Sequence, residues 1–206
     1  MSAVIVAGTD TGVGKTVFAA GLTAALGATY WKPVQSGLED ATDTETVLAL
    51  SGAEVVPEAY RLNMPASPHL SAEDMGVEIL PDRLTLPQVK GPLVVEGAGG
   101  VMVPLNRSTF FLDVISEWQA PVVLVARTAL GTINHTSLSL MALRNAGCNV
   151  VGVAFVGDAV PDVEQTIAQM CQITHLGRLP HLETLSRETL SDAFEAIDTE
   201  TIRRAL

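Results

Sequence analysis

Short, continuously apolar runs alternate along the chain with segments whose apolar residues recur every three or four positions. Ala3–Gly8 (AVIVAG), Pro92–Gly100 (PLVVEGAGG), Pro121–Arg127 (PVVLVAR) and Cys148–Gly157 (CNVVGVAFVG) carry the pattern of strands buried on both faces. Ala28–Val34 (ATYWKPV) reads as one further short strand and His175–Pro180 (HLGRLP) as the last. Helical spacing fills Lys15 to Gly27, Leu130 to Gly147 and Pro161 to Cys171, and the first two stretches stop at a glycine. The tail from Ser186 to Leu206 predicts one or two amphipathic helices, while Ser36–Lys90, rich in proline and acidic residues, is less regular. Strand–helix alternation with fully apolar strands predicts an α/β fold, a mostly parallel sheet flanked by helices on both faces. Ligands of such sheets sit beyond the carboxyl ends of the strands. The polar ends of interest are therefore Thr9–Thr16, Lys32–Gly37, Glu96–Gly100, the loop before Leu130, and the turns after Val156 and Leu179.

A length of 206 residues predicts a single domain over 1–206, and 48% apolar residues is enough for a sizeable core. The formal charge of −11 disfavours nucleic acid and anionic membranes as partners. It leaves room for a local anion site, which backbone N–H groups build without net charge. Cys148 and Cys171 stand far apart in apolar segments, as buried thiols of a reducing compartment do. With no basic leader region and no apolar run of the ~20 residues a membrane span needs, the expectation is a cytoplasmic protein.

The sharpest chemical signal is GTDTGVGKT, Gly8–Thr16, between the first strand and the first helix. It is a phosphate-binding loop with an unusual spelling: the first glycine of G-x-x-x-x-G-K-[ST] should fall at position 9, which is Thr9, and the glycine stands at Gly8 instead. Gly12 and Gly14 permit the conformations that turn successive N–H groups inward, Lys15 reaches the β- and γ-phosphates, and Thr16 offers a hydroxyl to Mg²⁺. A hard cation needs further oxygens. Glu96 ends an apolar strand, where a carboxylate needs a partner, either a metal ion or a lysine. Asp43 is a weaker metal candidate, since a carboxylate at a helix start is often a cap. Lys32, fixed by the following Pro33, ends the second strand beside the loop, either to neutralise charge on a transferring phosphoryl group or as a surface lysine. Ser36 and Gly37 form a turn able to meet a second substrate.

Together, GTDTGVGKT, WKPVQSG (Trp31–Gly37), SPHLSAE (Ser67–Glu73), VEGAGGVMVPL (Val95–Leu105) and LGTINHT (Leu130–Thr136) resemble the dethiobiotin synthetase family, in the family's order and across most of the chain. The resemblance implies a P-loop NTPase fold with about seven strands and a homodimer. It also implies a ligase of biotin synthesis that uses ATP, Mg²⁺ and CO2 to close a urea ring on 7,8-diaminopelargonic acid. It places Gly12, Val13, Gly14, Lys15, Thr16 and Val17 on the phosphates, with Gly97, Ala98 and Gly99 beside the nucleotide. Thr16, Asp43 and Glu96 would form the magnesium shell. Lys32, Lys15 and Thr11 would be catalytic, and Ser36 and Lys32 would bind the diamine. Gly131, Thr132 and Asn134, at a helix start, would grip the substrate carboxylate across the dimer interface, the alternative for Thr132 being an ordinary N-cap. Val156 and Gly157 would form one wall of the base site and Pro180, His181 and Leu182 the other. Here the chain departs from the family, which commonly carries an Asn-Asp turn where this sequence has Val156-Gly157-Asp158. Either backbone groups read the base or nucleotide choice is relaxed. The connection before Tyr30 is also shorter than the family's. His69 and His135 read as structural, and His175 has no expected role.

Two other readings compete. A partition-type ATPase switch would carry a second lysine early in the loop, where this chain has Asp10, and a basic or amphipathic surface, where this chain is acidic. An amidase-type relative would need a glutaminase domain for which 206 residues leave no room. Neither accounts for Lys32 with Ser36.

Overall fold

The structure, a computed structural model, describes residues 2–206. The chain opens with β1 (Ala3–Gly8), α1 (Lys15–Leu26), β2 (Thr29–Trp31), β3 (Val34–Ser36), α2 (Asp43–Ser51), β4 (Val55–Val56), β5 (Tyr60–Leu62) and α3 (Pro68–Asp74). After a 3₁₀ turn come β6 (Leu93–Glu96), α4 (Phe111–Trp118), β7 (Val122–Arg127), α5 (Thr132–Asn145), β8 (Val150–Val156), α6 (Pro161–Met170), β9 (His175–Leu179), α7 (Arg187–Phe194) and α8 (Thr199–Ala205). Seven strands form one parallel sheet in the order β4-β2-β6-β1-β7-β8-β9, as the resemblance implies, and β3 and β5 pair separately.

The core follows from the alternation of side chains along each strand. Ala3, Ile5 and Ala7 of β1 face one way and pack with Leu124, Phe111, Leu140 and Ile167. Val4 and Val6 face the other way and pack with Phe18, Leu22, Leu190 and Phe194. Both faces are covered, which is why the strands read as unbroken apolar runs. α1 stops where Gly27 takes a left-handed conformation, φ 60°, as the sequence predicts.

Four expectations need correction. Ala28–Val34 is not one strand: β2 ends at Trp31, and the chain leaves the main sheet through Lys32-Pro33 to begin β3. Proline fixes the backbone and lacks an N–H to continue a ladder. The Leu130 helix begins only at Thr132, because Gly131 sits at φ 92°. The irregular middle holds two helices, α2 opening on a reciprocal cap between Thr42 and Glu45. Finally, α4 goes unpredicted although Phe111, Leu112, Val114 and Ile115 are buried at helical spacing.

Candidate active site

The sheet order makes β2, β6 and β1 neighbours, so their carboxyl ends deliver Lys32, Glu96 and the phosphate loop to one place. Gly14, at φ 90°, caps α1 and lets the loop turn into the helix. The displaced glycine has its own reason. A Cβ at Gly8 would lie 2.7 Å from Lys15 Cδ and 2.8 Å from its Nζ, so the glycine clears the path the lysine takes back over the loop. Lys15 is buried, and its ammonium donates to the Asp10 carbonyl at 2.9 Å. Burial, reinforced by nearby Lys32, lowers its pKa to about 8.

Three oxygens converge at the start of α1. Thr16 Oγ1 donates to Asp43 Oδ1 at 2.8 Å and lies 3.0 Å from Glu96 Oε1. Oxygens around octahedral Mg²⁺, bound at 2.0–2.1 Å, stand about 2.9 Å apart along each edge. The spacing of Thr16, Asp43 and Glu96 therefore fits two edges of such a shell. Among the described residues no three His, Cys, Asp or Glu side chains cluster to hold a metal by themselves. A hydroxyl, two carboxylates and phosphate oxygens are the donor set that Mg²⁺ accepts at nucleotide sites.

Lys32 is not a surface lysine. It is 4% exposed, donates to Glu96 Oε1 and to the Gly97 carbonyl at 3.0 Å each, and pairs with Asp43 Oδ2 at 2.6 Å. Burial, the largest influence, works against its charge, but Glu96 and Asp43 together outweigh it and raise its pKa above the ordinary value. Asp43 shows the mirror case: burial raises its pKa, yet Lys32 and Thr16 outweigh that and hold it below the usual carboxylate range. Glu96 thus meets the lysine that one of its readings gave it, and Asp43 is not the cap of its helix, since Thr42 holds that position. Glu96 has its lysine and a metal-competent position, and Asp43 sits in the first turn of α2 with its side chain turned into the site.

A cavity of about 700 Å³ joins these groups to a second region. Thr11, Gly12, Gly14, Lys15, Thr16 and Val17 line it with Ala98, Gly99 and Val103, and so do Lys32, Ser36, Pro65 and Ser67. Ser36 Oγ is buried without a hydrogen-bond partner among the described residues, a hydroxyl available to a ligand. A second cavity, of about 600 Å³, lies across the loop and brings Gly12, Val13, Val17, Val156, Pro180, His181 and Leu182 together. Gly157 is packed behind this wall rather than lining it. Gly131, Thr132 and Asn134 line neither cavity. Thr132 is also no N-cap, since Gly131 occupies that position, and its hydroxyl lies 3.4 Å from that of Thr136.

Sequence reasoning missed two supports. Tyr30, fully buried, donates its hydroxyl to Glu96 Oε2 at 2.8 Å; burial, with Glu96 beside it, raises its pKa well above the ordinary value, so it stays a donor. Gln35 accepts from the Asp43 amide at 3.2 Å and donates to the Ser36 and Gly37 carbonyls, tying the substrate turn to α2. Gln35 sits inside WKPVQSG and Tyr30 just before it, but neither residue type marks a site by itself. His175, given no role, meets buried Glu164 at 2.9 Å on the far edge strand.

A family model described as an AAA domain matches residues 2–189. The ATP-dependent dethiobiotin synthetase BioD of Rhodopseudomonas palustris (strain BisA53) is 58% identical over 194 residues, covering 93% of this chain and 91% of its own. Its counterpart from Brucella anthropi is 58% identical over 193 residues, covering 92% and 91%. The chain belongs to the ATP-dependent dethiobiotin synthetase family. This is a family of ligases, and of the five motifs that carried the resemblance three fall on the loop, the Lys32 junction and the Glu96 turn, Ser67 and Pro68 of a fourth line the first cavity, and the fifth, Leu130–Thr136, lines neither. Among solved structures, the Pyrococcus furiosus cell division ATPase MinD matches with TM-score 0.58 at 13% identity over 100% of both chains. A ParA family ATPase from Chlorobium tepidum matches with TM-score 0.53 at 12% identity, covering 99% and 91%. At these identities the likeness is one of fold. No helix among the described residues is long and apolar enough to cross a membrane.

Proposed function

We propose that this member of the dethiobiotin synthetase family closes the ureido ring of dethiobiotin from 7,8-diaminopelargonic acid, CO2 and ATP, with Mg²⁺ bound by Thr16, Asp43 and Glu96. The observation that carries the reading is Lys32: a buried ammonium lining the same cavity as the phosphate loop and as Ser36, whose hydroxyl has no partner among the described residues. One amine of the diamine attacks CO2 and loses a proton, giving a carbamate. A carbamate oxygen attacks the γ-phosphorus and ADP leaves. The second amine attacks the carbon of the resulting carbamic–phosphoric anhydride, expels phosphate and closes the ring. Lys32 and Lys15 neutralise the oxygens that gain charge during phosphoryl transfer, where fixed cations are most effective. Thr11 lies on the cavity wall near the transferred group, and Ser36 orients the diamine. Mg²⁺, when bound, withdraws charge from the phosphate oxygens.

The homodimer belongs to the same proposal. Leu130, Ile133, Leu138 and Met141 leave an apolar stripe exposed at helical spacing along α5 and the turn before it, which supports burial against a second copy. Gly131, Thr132 and Asn134 at the head of that helix would then complete the carboxylate end of the partner's substrate site. A dimeric ATPase switch shares the fold but has no use for Ser36 or Lys32. The test is phosphate release from ATP with and without diamine and bicarbonate. Release should need both, with ring-closed product in equal amount; release undiminished without the diamine defeats the ligase reading.

A further inference from the structure

Among the described residues, Gln35 is the only side chain that hydrogen-bonds both to the Ser36–Gly37 turn and to α2, the helix that carries Asp43. Its Oε1 accepts from the Asp43 amide at 3.2 Å, and its Nε2 donates to the Ser36 and Gly37 carbonyls at 3.3 Å each. These partners fix the orientation of the amide, since a backbone N–H needs an acceptor and two carbonyls need a donor. Gln35 is buried and lines the same cavity as Ser36 and Asp43. The bridge also closes a ring. The chain runs from Lys32 through Pro33 into β3, Gln35 holds the Asp43 amide, and the Asp43 carboxylate returns to the Lys32 ammonium at 2.6 Å. Such links matter to α2. Of its nine residues only Thr44 and Val47 are buried, and Arg187 holds its far end through the Ala49 carbonyl at 2.7 Å. Segments with little buried apolar surface shift most readily, so the polar contacts of the first turn decide where Asp43 lies. The Asp43 N–H is one of the orphan donors of a helix start. The local cap satisfies Thr42 N through Glu45 and Glu45 N through Thr42, and it leaves Asp43 N to Gln35.

We propose that Gln35 is a positioning residue that couples the two ligands of the site: diamine seated against the Ser36–Gly37 turn tightens the Mg²⁺–nucleotide complex bound with Asp43, and the nucleotide tightens the diamine. The proposal rests on the ligase reading above and adds to it a link between the substrates. Gln35 takes up the Ser36 carbonyl but leaves the Ser36 hydroxyl without a partner among the described residues, so a ligand can order the turn without breaking the bridge. An ordered turn fixes the amide, and the amide fixes the first turn of α2. Each ligand then meets groups that the other has already ordered, which is a source of positive coupling. Coupling of this kind is reciprocal, so both affinities rise by one factor. A neutral hydrogen bond corresponds to a factor of about 2–10 in an equilibrium constant, and a coupling of about fivefold is expected here.

The test is titration calorimetry with Mg²⁺ and the β,γ-imido analogue of ATP, which does not transfer its phosphoryl group, with and without saturating 7,8-diaminopelargonic acid. The wild type should bind the analogue about fivefold more tightly when the diamine is present, and in Gln35→Met, which keeps the bulk and loses the amide, the factor should fall to about one. Thr42→Ala loosens the same helix at its local cap without touching the bridge; it should lower Tm and keep the factor. Hydrogen exchange needs no variant: diamine alone should slow exchange at the first turn of α2 in the wild type. Equal Kd values in the wild type, an unmoved exchange rate, a factor that survives in folded Gln35→Met, or the same loss in Thr42→Ala would each overturn the proposal. Diamine and nucleotide that bind independently strike the coupling alone, whereas a chain that binds no diamine defeats the ligase reading and the coupling with it.

Discussion

Lys32→Met takes the single ammonium away from Asp43 and Glu96 and leaves the rest of the site in place. Glu96 is 1% exposed at its side chain and Asp43 30%, so one carboxylate is fully, and the other mostly, shut off from water. Removing one partner of a buried ion pair costs about 3–5 kcal/mol, and the partial exposure of Asp43 puts this case near about 3. For a chain of this length, about 3 kcal/mol lowers Tm by roughly 6–12 °C. The loss should depend on Mg²⁺. A divalent ion at Thr16, Asp43 and Glu96 supplies the charge that the methionine does not, so millimolar Mg²⁺ should raise the Tm of the variant more than that of the wild type. Turnover, measured as diamine-dependent phosphate release, should fall by about 10²–10³-fold, the usual loss for one fixed group stabilising a charged transition state. Nucleotide affinity should change little, because the loop amides and Lys15 remain. Thermal melts with and without Mg²⁺, beside steady-state kinetics, measure all three. A variant that melts with the wild type and responds to Mg²⁺ no differently refutes the pairing, and unchanged turnover refutes the role of Lys32 in phosphoryl transfer.

Tyr30→Phe leaves Glu96 Oε2 buried and without its donor; it should weaken Mg²⁺ binding by about 10–100-fold, the usual effect of losing a hydrogen bond behind a metal ligand, as read by titrating Mg²⁺ against tryptophan fluorescence. Equal Mg²⁺ affinity would leave Tyr30 a packing residue. Lys15, lowered from 10.5 to about 8 by burial, destabilises the free protein while charged, so stability should rise with pH from about 8 towards 10.5. The triphosphate restores its proton, so ATP binding near pH 9 should take up a proton, and affinity should fall as pH climbs past about 8; titration calorimetry in two buffers of different ionisation enthalpy detects this, and buffer-independent heats would contradict it. Ser36→Ala removes a buried hydroxyl that has no partner, so it should leave Tm unchanged or raise it while raising KM for the diamine and sparing that for ATP. A lowered Tm with an unaltered diamine KM would make Ser36 structural.

What the sequence made legible divides along physical lines. β1, β6, β7 and β8 are buried on both faces and bounded by turn residues, so their apolar runs announce them without reference to anything distant in the chain. The Lys32-Pro33 exit was hidden because Ala28–Val34 is apolar on both sides of the break, and only the geometry shows β2 and β3 in separate sheets. In α4 the helical signal is present but short, and it follows a loop held by the Arg107–Glu73 pair that no local pattern announces. The loop, Lys32 and Glu96 stand out because each is a charged or glycine-rich interruption at a strand end, whereas Asp43, at a helix start, is singled out only by the family resemblance. Tyr30 and Gln35 were not, since a buried tyrosine is ordinary in a strand and its value here depends on a glutamate 66 positions away. Gly131, Thr132 and Asn134, expected to grip the substrate carboxylate, line neither cavity of one chain, so the geometry of a single copy does not bear on that expectation.

The register of the sheet explains why so few residues suffice. In the parallel ladder Trp31 lies opposite Val95 and Val95 opposite Ile5, so the next residues, Lys32, Glu96 and Val6, come level across three adjoining strands. Lys32 leaves its strand there because Pro33 follows; Glu96 ends its strand there because Gly97 and the glycine turn follow; β1 runs on two residues to Gly8, which gives Lys15 its path back over the loop. The lysine-to-glutamate contact at 3.0 Å is therefore a product of strand pairing as much as of charge attraction. Strand register is rigid in this way because a slip of one residue turns every side chain to the opposite face. Such a slip between β2 and β6 would drive Tyr30 out of the α1-side core and the Lys32 ammonium away from Glu96 together. The apolar packing that stabilises the sheet and the charge geometry that would serve phosphoryl transfer are set by the same register, so selection for a well-packed sheet also holds the site in place.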